Sequence, residues 1–187
     1  MGKIGNGILG GLSGKVGNVI GGSWKGIDYI RVKPTSVANP RTEGQVNQRN
    51  KFTATLEYLQ PNREIVNVGY KSFATKKTAF NAAMSFVLNN AVSDAPDFMI
   101  DYSTALLSKG GLSKPLNPTA DLSIPGEVTF SWGDNSDEGN ANTTDKAMVL
   151  VYNPIKKDSI FILDGAERMV GSQTIFIPAT YSGEVVE

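Results

Sequence analysis

The sequence of 187 residues contains no cysteine and no histidine. Without these side chains the chain cannot form a disulfide, a Ser-His-Asp triad, a cysteine nucleophile, a zinc finger or the usual haem ligation. Acid–base catalysis would depend on Asp, Glu, Lys or Tyr alone. The composition therefore argues against an enzyme and for a structural or assembly protein, and it points to no metal and no cofactor.

Long apolar runs are also missing. Glycine interrupts the first 22 residues at intervals of four or fewer, so the N-terminus lacks the continuous apolar segment of a secretory signal peptide. No stretch approaches the roughly 18 apolar residues that a membrane helix needs. We therefore expect no membrane span and no cleaved signal. A protein that stays where it is made, one exported by another route and one already processed all fit this pattern.

The sequence has no excess of charge of either sign, because 18 basic residues balance 18 acidic ones. The whole chain is therefore not a nucleic-acid binder by charge. The charges are nevertheless segregated: eight basic and two acidic residues give residues 1–52 a net charge of +6, whereas two basic and nine acidic residues give residues 94–145 a net charge of −7. Such asymmetry suits head-to-tail association between copies, and it equally fits two solvated faces.

Glycine is concentrated near the N-terminus, where residues 1–41 hold ten of the twenty glycines. Because glycine loses the most backbone entropy on folding, such a segment needs packing partners to become ordered. Residues 16–23 and 27–32 are predicted strands on either side of a Trp24-Lys25-Gly26 turn. Glycine inside a strand often marks the close approach of another backbone. We therefore expect a basic, glycine-rich arm that carries a β-hairpin.

Residues 42–96 are predicted to be helical. Thr42 and Gln45 fit the two ends of a capping box, so the first helix should begin after Thr42, and Pro61 should end it. Between this helix and the next, residues 62–77 fit either a short helix or an irregular turn. The next helix carries apolar residues at helical spacing, which predicts a stripe facing a core: Phe80, Ala83, Met84, Val87, Leu88 and Ala91.

Residues 97–187 are predicted to form β-structure. Apolar side chains alternate at Phe98, Ile100 and Tyr102, and again along residues 128–132. Further short strands are predicted at residues 147–152, 159–163 and 174–177. Strands at this spacing are typical of an antiparallel β-sandwich of the immunoglobulin or fibronectin type III kind.

The predicted fold class is therefore α+β, with an arm over residues 1–41, a helical segment over 42–96 and a β-sandwich over 97–187. The sandwich is predicted to be incomplete at its C-terminus, because residues 183–187 stop within a further predicted strand. An incomplete sandwich leaves an unpaired sheet edge. Truncation of the chain and completion of the sheet by a partner both fit this pattern.

Three short motifs have some features of ligand sites. Gly5-Asn6-Gly7-Ile8-Leu9-Gly10 has the glycine spacing of a dinucleotide fingerprint, but no strand precedes it and no predicted helix follows. Gly14-Lys15 resembles the end of a phosphate-binding loop but lacks its other required residues. Oxygen ligands for a hard cation are present in one acidic loop, although its spacing does not match an EF-hand and a solvated loop is the expected explanation: Asp134, Asn135, Asp137 and Glu138.

Basic residues interleave with Trp24, Tyr29 and Phe52, as they do in sites that bind single-stranded nucleic acid. Lysine and arginine on an exposed hairpin more often solubilise the protein or pair subunits. We therefore expect neither nucleic acid nor a small-molecule substrate as a partner.

The N-terminal part carries a distinctive series of motifs: residues 12–21 (LSGKVGNVIG), residues 24–26, Tyr29-Ile30-Arg31, Pro34, Asn39-Pro40-Arg41-Thr42, Gln45, Gln48-Arg49 and Lys51-Phe52. Asp101-Tyr102, residues 132–135, Val151-Tyr152-Asn153 and Arg168 extend the series. The whole chain resembles an uncharacterised family common in the Bacteroidota, known as a domain of unknown function. Members usually continue for another strand or two, so this chain departs from them by ending early.

The front motif also resembles phage structural proteins, which often begin S-G-x-x-G-x-x-V, followed by a Tyr-x-Arg pair and N-P-x-T-x-x-Q-x-x-x-R. The corresponding residues here are Ser13, Gly14, Gly17, Tyr29, Arg31, Asn39, Pro40, Thr42, Gln45 and Arg49. This resemblance implies a component of a virion or phage-tail-like particle that is assembled in the cytoplasm. It supplies no catalytic residue.

The leading hypothesis is a non-enzymatic structural subunit that self- or co-assembles into a particle or filament. The arm of one copy would lie along the open sheet edge of the next by β-augmentation, with its arginines paired to the acidic stretch over residues 134–145. The hairpin could instead pack on the helices of its own chain, and a surface module that binds a glycan or a protein is the alternative function. The predicted interface residues are Val16, Val19, Trp24, Tyr29, Arg31, Arg41 and Arg49.

Overall fold

The computed structural model describes residues 2–4, 11–24, 26–36, 39–181, 183 and 186–187. Its fold is α+β, with three α-helices, several antiparallel sheets and no barrel among the described residues. The chain divides into two compact units, the arm (Met1–Arg41) and the body (Thr42–Glu187). Three predicted features lie wholly or partly outside the described residues. These are the whole Gly5–Gly10 motif, Lys25 of the predicted turn, and Glu184 and Val185 of the predicted last strand.

The arm is a four-stranded antiparallel sheet in the order β1-β2-β3-β4, formed by Lys3–Ile4, Leu12–Val16, Val19–Trp24 and Ile27–Val32. The prediction of one strand over residues 16–23 is wrong, because a turn at Gly17-Asn18 divides it. Gly17 has a φ of 57°, which glycine adopts without steric cost. The predicted hairpin is formed by β3 and β4, where Trp24 lies opposite Ile27.

Gly21 allows β2 and β3 to approach each other closely. A Cβ atom at this position would collide with the carbonyl oxygen of Leu12. The close backbone approach expected from glycine within a strand is therefore present between these two strands.

The helices of the body are α1 (Glu43–Leu59), α2 (Arg63–Gly69) and α3 (Ala79–Asn90), with a short 3-10 helix over Lys71–Phe73. Helix α1 begins after Thr42 as predicted, but the Thr42 side chain makes no capping hydrogen bond, so the predicted capping box does not form. A side-chain cap is present instead at α3, where Thr78 accepts a hydrogen bond from the Asn81 N–H at 3.1 Å.

The larger core of the body lies between the helices and strand β7 (Val149–Asn153). The predicted stripe on α3 is confirmed, since Ala83, Met84, Val87 and Ala91 are buried there. The buried members of this helix core are Tyr58, Leu59, Ile65, Val66, Tyr70, Ala82, Ala83, Met84, Val87, Ala91, Ala105 and Tyr152.

The strand predicted around Phe98, Ile100 and Tyr102 is wrong. Phe98 has a φ of 47°, which breaks an extended strand, and only an isolated bridge joins Ile100 to Val92. Ile100 and Tyr102 pack against the helix core from an irregular segment. Alternation in the sequence therefore arises here without a sheet.

The other strands of the body are β5 (Leu116–Asp121), β6 (Glu127–Gly133), β8 (Asp158–Ile162) and β9 (Ser172–Phe176). One antiparallel sheet has the order β5-β6-β9, and β7 and β8 form a hairpin. Strand β5 was not predicted. The four predicted strands that correspond to β6, β7, β8 and β9 are confirmed to within about two residues.

A second core, the sheet core, joins the two sheets of the body. Its buried members are Val128, Val149, Val151 and Ile175. Strand β7 thus belongs to both cores, because Val149 and Val151 face the sheet core whereas Leu150 and Tyr152 pack in the helix core. Within the described ranges, none of the helices has the length and apolar character that a membrane crossing needs.

Candidate assembly surfaces

Exposed apolar side chains characterise the arm, most clearly in β4. Ile27 and Ile30 are each 67% exposed, and Val32 is 75% exposed. Alternation places Ile27 and Tyr29 on one face of the strand and Ile30 and Val32 on the other. Within the described residues β4 pairs with β3 only, so its outer edge is open. Exposed apolar residues that adjoin on one face, as Ile30 and Val32 do, are characteristic of interaction sites in soluble proteins.

The predicted interface residues of the arm fall on two opposite faces. Trp24, Tyr29 and Arg31 share the first face, where the Tyr29 ring lies over Gly22. Val16 and Val19 lie directly opposite each other across the β2–β3 hairpin and share the second face. The structure thus brings these five residues into one small sheet without placing them on one surface.

The two remaining predicted residues lie outside the strands of the arm. Arg41 is the last residue of the arm and is exposed, whereas Arg49 is an exposed residue of α1 in the body. Neither belongs to the sheet that carries the other five.

Two residues of the acidic stretch predicted to receive the arm's arginines, Asn135 and Asp145, bond to Arg168, which is 7% exposed. Its Nη1 donates to Asn135 Oδ1 at 2.6 Å, its Nη2 to the Ser113 carbonyl at 2.9 Å and its Nε to Asp145 Oδ2 at 3.3 Å. The Asn142 N–H also donates to Asp145, and together with Arg168 it lowers the pKa of that carboxyl. This network ties distant loops of the body together.

Two of the candidate cation ligands in the same loop, Asn135 and Asp134, accept hydrogen bonds from other residues. Asn135 Oδ1 accepts from Arg168, and the Asp134 carboxylate accepts from the Ser136 N–H at 3.0 Å. In the part of the chain that the structure describes, no group of three or more Asp and Glu side chains is arranged to hold a metal ion.

A cleft of about 500 Å³ lies beside the Arg168 network. Its walls include the apolar side chains of Phe130, Trp132 and Met148, with Lys114 also lining it. The Trp132 indole N–H donates to the Arg168 carbonyl at 2.8 Å, which fixes the ring in the wall. The cleft therefore offers aromatic surface beside a lysine.

A second candidate surface lies along the edge of β7. Tyr152 and Glu187 exchange two main-chain hydrogen bonds, from the Tyr152 N–H at 2.8 Å and from the Glu187 N–H at 2.9 Å. A pair that exchanges both bonds is the hydrogen-bonded pair of an antiparallel ladder. Next to this pair is a groove of about 570 Å³, the β7 groove, lined by Tyr58, Tyr102, Ser103, Ala105, Leu106, Leu107, Ser108, Leu150, Tyr152 and Glu187.

Three tyrosines form one wall of the β7 groove. The ring centroids of Tyr58, Tyr102 and Tyr152 lie 5.3 to 6.0 Å from one another. Burial raises the pKa of Tyr152 to about 12, with further contributions from Tyr102 and Glu57, and it also raises the pKa of Tyr58 well above its ordinary value. These phenols therefore stay neutral far above physiological pH.

Sequence patterns predicted neither the β7 groove nor the role of Arg168. One signal for β7 was present, because Val149-Leu150-Val151-Tyr152 is a continuous apolar run of the kind found in strands that are buried on both faces. No comparable signal exists for Arg168, whose partners are 23 to 55 residues away along the chain.

Comparison with curated proteins and with solved structures finds no significant match in either group. A match to a protein family covers residues 11–187, which include β2 to β4 of the arm and all of the body. The expectation of an uncharacterised family is thereby confirmed: the chain belongs to the family of unknown function DUF6266.

Proposed function

We propose that this protein is a non-enzymatic structural subunit that self- or co-assembles into a particle or filament through its arm. The proposal rests on β4, which has exposed apolar side chains on both faces and, among the described residues, a paired strand on one side only. Burying apolar surface gains roughly 25 cal/mol per Å², and pairing an edge strand satisfies its backbone groups. Both gains require a partner strand or surface.

We further propose that the two sheets of the body form an immunoglobulin- or fibronectin type III-like sandwich. The order β5-β6-β9 against the β7–β8 hairpin, with Val186 packed against the sheet core, supports this assignment. Glu187 beside Tyr152 would then mark the next strand of the β7 sheet.

The particle that we propose is a phage virion or a phage-tail-like assembly made in the cytoplasm of a member of the Bacteroidota. The support is the similarity of residues 13–49 to the front of phage structural proteins. Its partners would be copies of itself or other particle subunits, and neither nucleic acid nor a small-molecule substrate has a role in the proposal.

A surface module that binds a glycan or a protein is the second candidate function. The cleft beside Arg168 favours it, because the half-buried rings of Phe130 and Trp132 line a concave surface. Binding to a glycan array by a monomer that forms no larger assembly would favour this function over the structural one.

The first test is negative-stain electron microscopy of the full chain together with size-exclusion light scattering. We expect ordered assemblies whose mass falls to that of one chain in Ile27→Asp or Ile30→Asp, since each change charges one exposed face of β4. Leu122→Asp is the matched control, because Leu122 is an exposed apolar residue of the body.

Deletion of residues 1–32 tests whether the arm joins the subunits of the assembly. Assembly that survives this deletion would exclude the arm from that role. If the intact chain is a monomer at high concentration, it does not assemble by itself. Co-assembly with other particle subunits would then remain, and a pull-down with those subunits would test it.

A further inference from the structure

We propose that a basic surface at the junction of α2 and α3 binds the acidic loop, residues 134–138, of a second copy of this chain. This inference rests on the proposed function in that copies of the chain assemble, and it names a second contact between them. The contact joins two bodies and is separate from the contact through β4. The basic surface consists of Arg63, Lys71, Lys76, Lys77 and Lys109.

Local packing brings these five basic residues together. The 3-10 helix Lys71–Phe73 carries the first lysine, and the next two lie just before α3. The Lys109 Nζ lies 5.2 Å from the centroid of the Phe73 ring. The Arg63 guanidinium lies 5.9 Å from the centroid of the Phe80 ring, in the first turn of α3. The five side chains therefore surround the start of α3.

The charges of the basic surface are not neutralised by neighbouring carboxylates. Residues 58–93 carry four basic residues and one acidic residue, whereas the body as a whole has twelve basic and seventeen acidic residues. Lys51, Lys146, Lys157 and Arg168 form ion pairs elsewhere in the body, but within the described residues none of the five on the basic surface does so. All five are exposed. An acidic partner would relieve the repulsion among them.

The acidic loop presents the complementary charge. Residues 115–145 contain six acidic residues and no basic one, and three of the six lie in this loop. Asp134, Asp137 and Glu138 are exposed, and among the described residues no Lys or Arg forms an ion pair with them. Asn135 of the same loop accepts a hydrogen bond from the buried Arg168 guanidinium. The loop is therefore held in place before a partner binds, which lowers the entropy cost of binding.

Exposed apolar residues border both surfaces. Phe73 lies against Lys109 and is 39% exposed. Met169 and Val170 directly follow Arg168, whose side chain holds the acidic loop, and each is more than half exposed. Exposed ion pairs alone contribute little affinity, so an interface needs apolar contact at its centre. The charges would then fix the orientation of the two copies.

The spacing of the charges favours the body of the second copy over its arm as the partner of the acidic loop. Lys76-Lys77 matches the adjacent carboxylates of Asp137-Glu138, whereas no two basic residues of the arm are adjacent in the sequence. A contact between two different surfaces of identical copies is heterologous. Each copy that is bound through its basic surface therefore still offers its acidic loop to the next copy, and such contacts build rings or filaments.

Reciprocal charge reversal in the full chain tests the contact. Lys76→Glu/Lys77→Glu makes the basic surface acidic, and Asp137→Lys/Glu138→Lys makes the acidic loop basic. We expect each variant alone to have a light-scattering mass lower than that of the unmodified chain by roughly twofold or more at low ionic strength, because like charges then face each other. An equimolar mixture of the two variants should recover the mass, since each supplies the surface that the other has lost.

Lys156→Glu/Lys157→Glu is the matched control. It reverses two adjacent, exposed lysines of the body that lie outside the basic surface, so the change in net charge is the same. This variant should keep the mass of the unmodified chain. Salt at about 1 M, where the screening length falls to about 3 Å, should lower the mass of the unmodified chain. An equal loss in the control, or a mixture that does not recover the mass, would overturn the proposal.

Ile30→Asp separates this contact from the contact through β4. A mass lowered by Ile30→Asp and unaffected by either charge reversal would retain the arm as connector and reject the contact between bodies. A mass lowered by Arg31→Glu/Lys33→Glu but not by Lys76→Glu/Lys77→Glu would also reject it, because the arm would then be the partner of the loop. An unmodified chain that is monomeric at low ionic strength would reject both this contact and autonomous assembly.

A polyanion is the competing partner of the basic surface. The probes are a single-stranded oligonucleotide and vesicles that contain phosphatidylserine. Binding of either probe that is lost in Lys76→Glu/Lys77→Glu, with no change in the mass of the assembly, would overturn the proposal. We expect the mass to change and neither probe to bind.

Discussion

The arm and the body both contain antiparallel sheet, but among the described residues only the body has a strand that is packed on both faces. Val151 of β7 is 3% exposed, whereas Val32 of β4 is 75% exposed. Strand β7 lies between helices on one face and a second sheet on the other, whereas β4 has exposed apolar residues on both faces. Similar apolar strands thus reach opposite degrees of burial because of the layers around them.

This contrast shows what a small sheet requires for stability. Sheets gain most of their stability when at least one face packs on another layer. The body supplies its own layers, and the arm lacks an equivalent buried cluster within its described residues. We therefore expect the body to set the global stability of the chain and the arm to depend on association.

The largest expected difference in unfolding free energy between the two units comes from replacing an apolar side chain by alanine. Leu59→Ala, at a fully buried position of α1, should lower the free energy of unfolding by roughly 2–5 kcal/mol. Ile30→Ala, at an exposed position of β4, should change it by less than about 0.5 kcal/mol. Urea unfolding followed by far-ultraviolet circular dichroism measures both. A cost at Ile30 as large as that at Leu59 would show that the arm is part of the cooperative fold.

Arginine replacement gives a smaller difference. Arg168→Met removes three hydrogen bonds from a buried guanidinium and should cost roughly 1.5–3 kcal/mol of unfolding free energy. Arg31→Met, at an exposed position of the arm, should change stability by less than about 0.5 kcal/mol. The same urea titration compares the two. Unchanged stability in Arg168→Met would contradict the view that this residue ties the loops of the body together.

Glycine replacement tests the two units separately. Gly44→Ala, in a helix with open space around the new methyl group, should stabilise the body by roughly 0.5–1 kcal/mol. Gly21→Ala should disorder the β2–β3 pair, because its Cβ would collide with the Leu12 carbonyl. Hydrogen exchange should show lost protection in the arm of Gly21→Ala and unchanged protection in the body. Loss of protection in both units would contradict their independence.

Tyr152→Phe is expected to have the smallest effect on the free energy of unfolding at neutral pH. The pKa of Tyr152 is raised from 10.0 to about 12, so the folded body holds this proton more tightly than the unfolded chain does. The resulting stability is fully present below pH 10 and is lost as the pH rises through about 12. Tyr152→Phe should therefore move the alkaline midpoint of unfolding upwards, as followed by tyrosinate absorbance and circular dichroism. An unmoved midpoint would exclude Tyr152 from the alkaline transition.

Local patterns predicted the elements whose signals are local. The apolar stripe of α3 has the period of a helix, and the alternation along β6 has the period of a strand. The same alternation failed at Phe98, where an irregular segment directs Ile100 and Tyr102 to the helix core. Apolar residues at every second position indicate that alternate side chains are buried. This pattern does not show that the segment pairs with another strand.

The candidate surfaces were less accessible to sequence reasoning. Trp24, Tyr29 and Arg31 lie in one hairpin, β3–β4, whose strands and turn have local sequence signals. The Arg168 network joins Ser113, Asn135 and Asp145, and no local spacing encodes those contacts. The β7 edge likewise depends on which strands pair, a property of topology rather than of composition.

Membership of β7 in two cores has a consequence for cooperativity. Its odd-numbered apolar residues belong to the sheet core and its even-numbered ones to the helix core, so the unfolding of either layer exposes one apolar face of β7. Neither layer can melt alone without losing this strand. We therefore expect the helices and the sheets of the body to unfold in one transition, despite the change from helix to sheet along the chain.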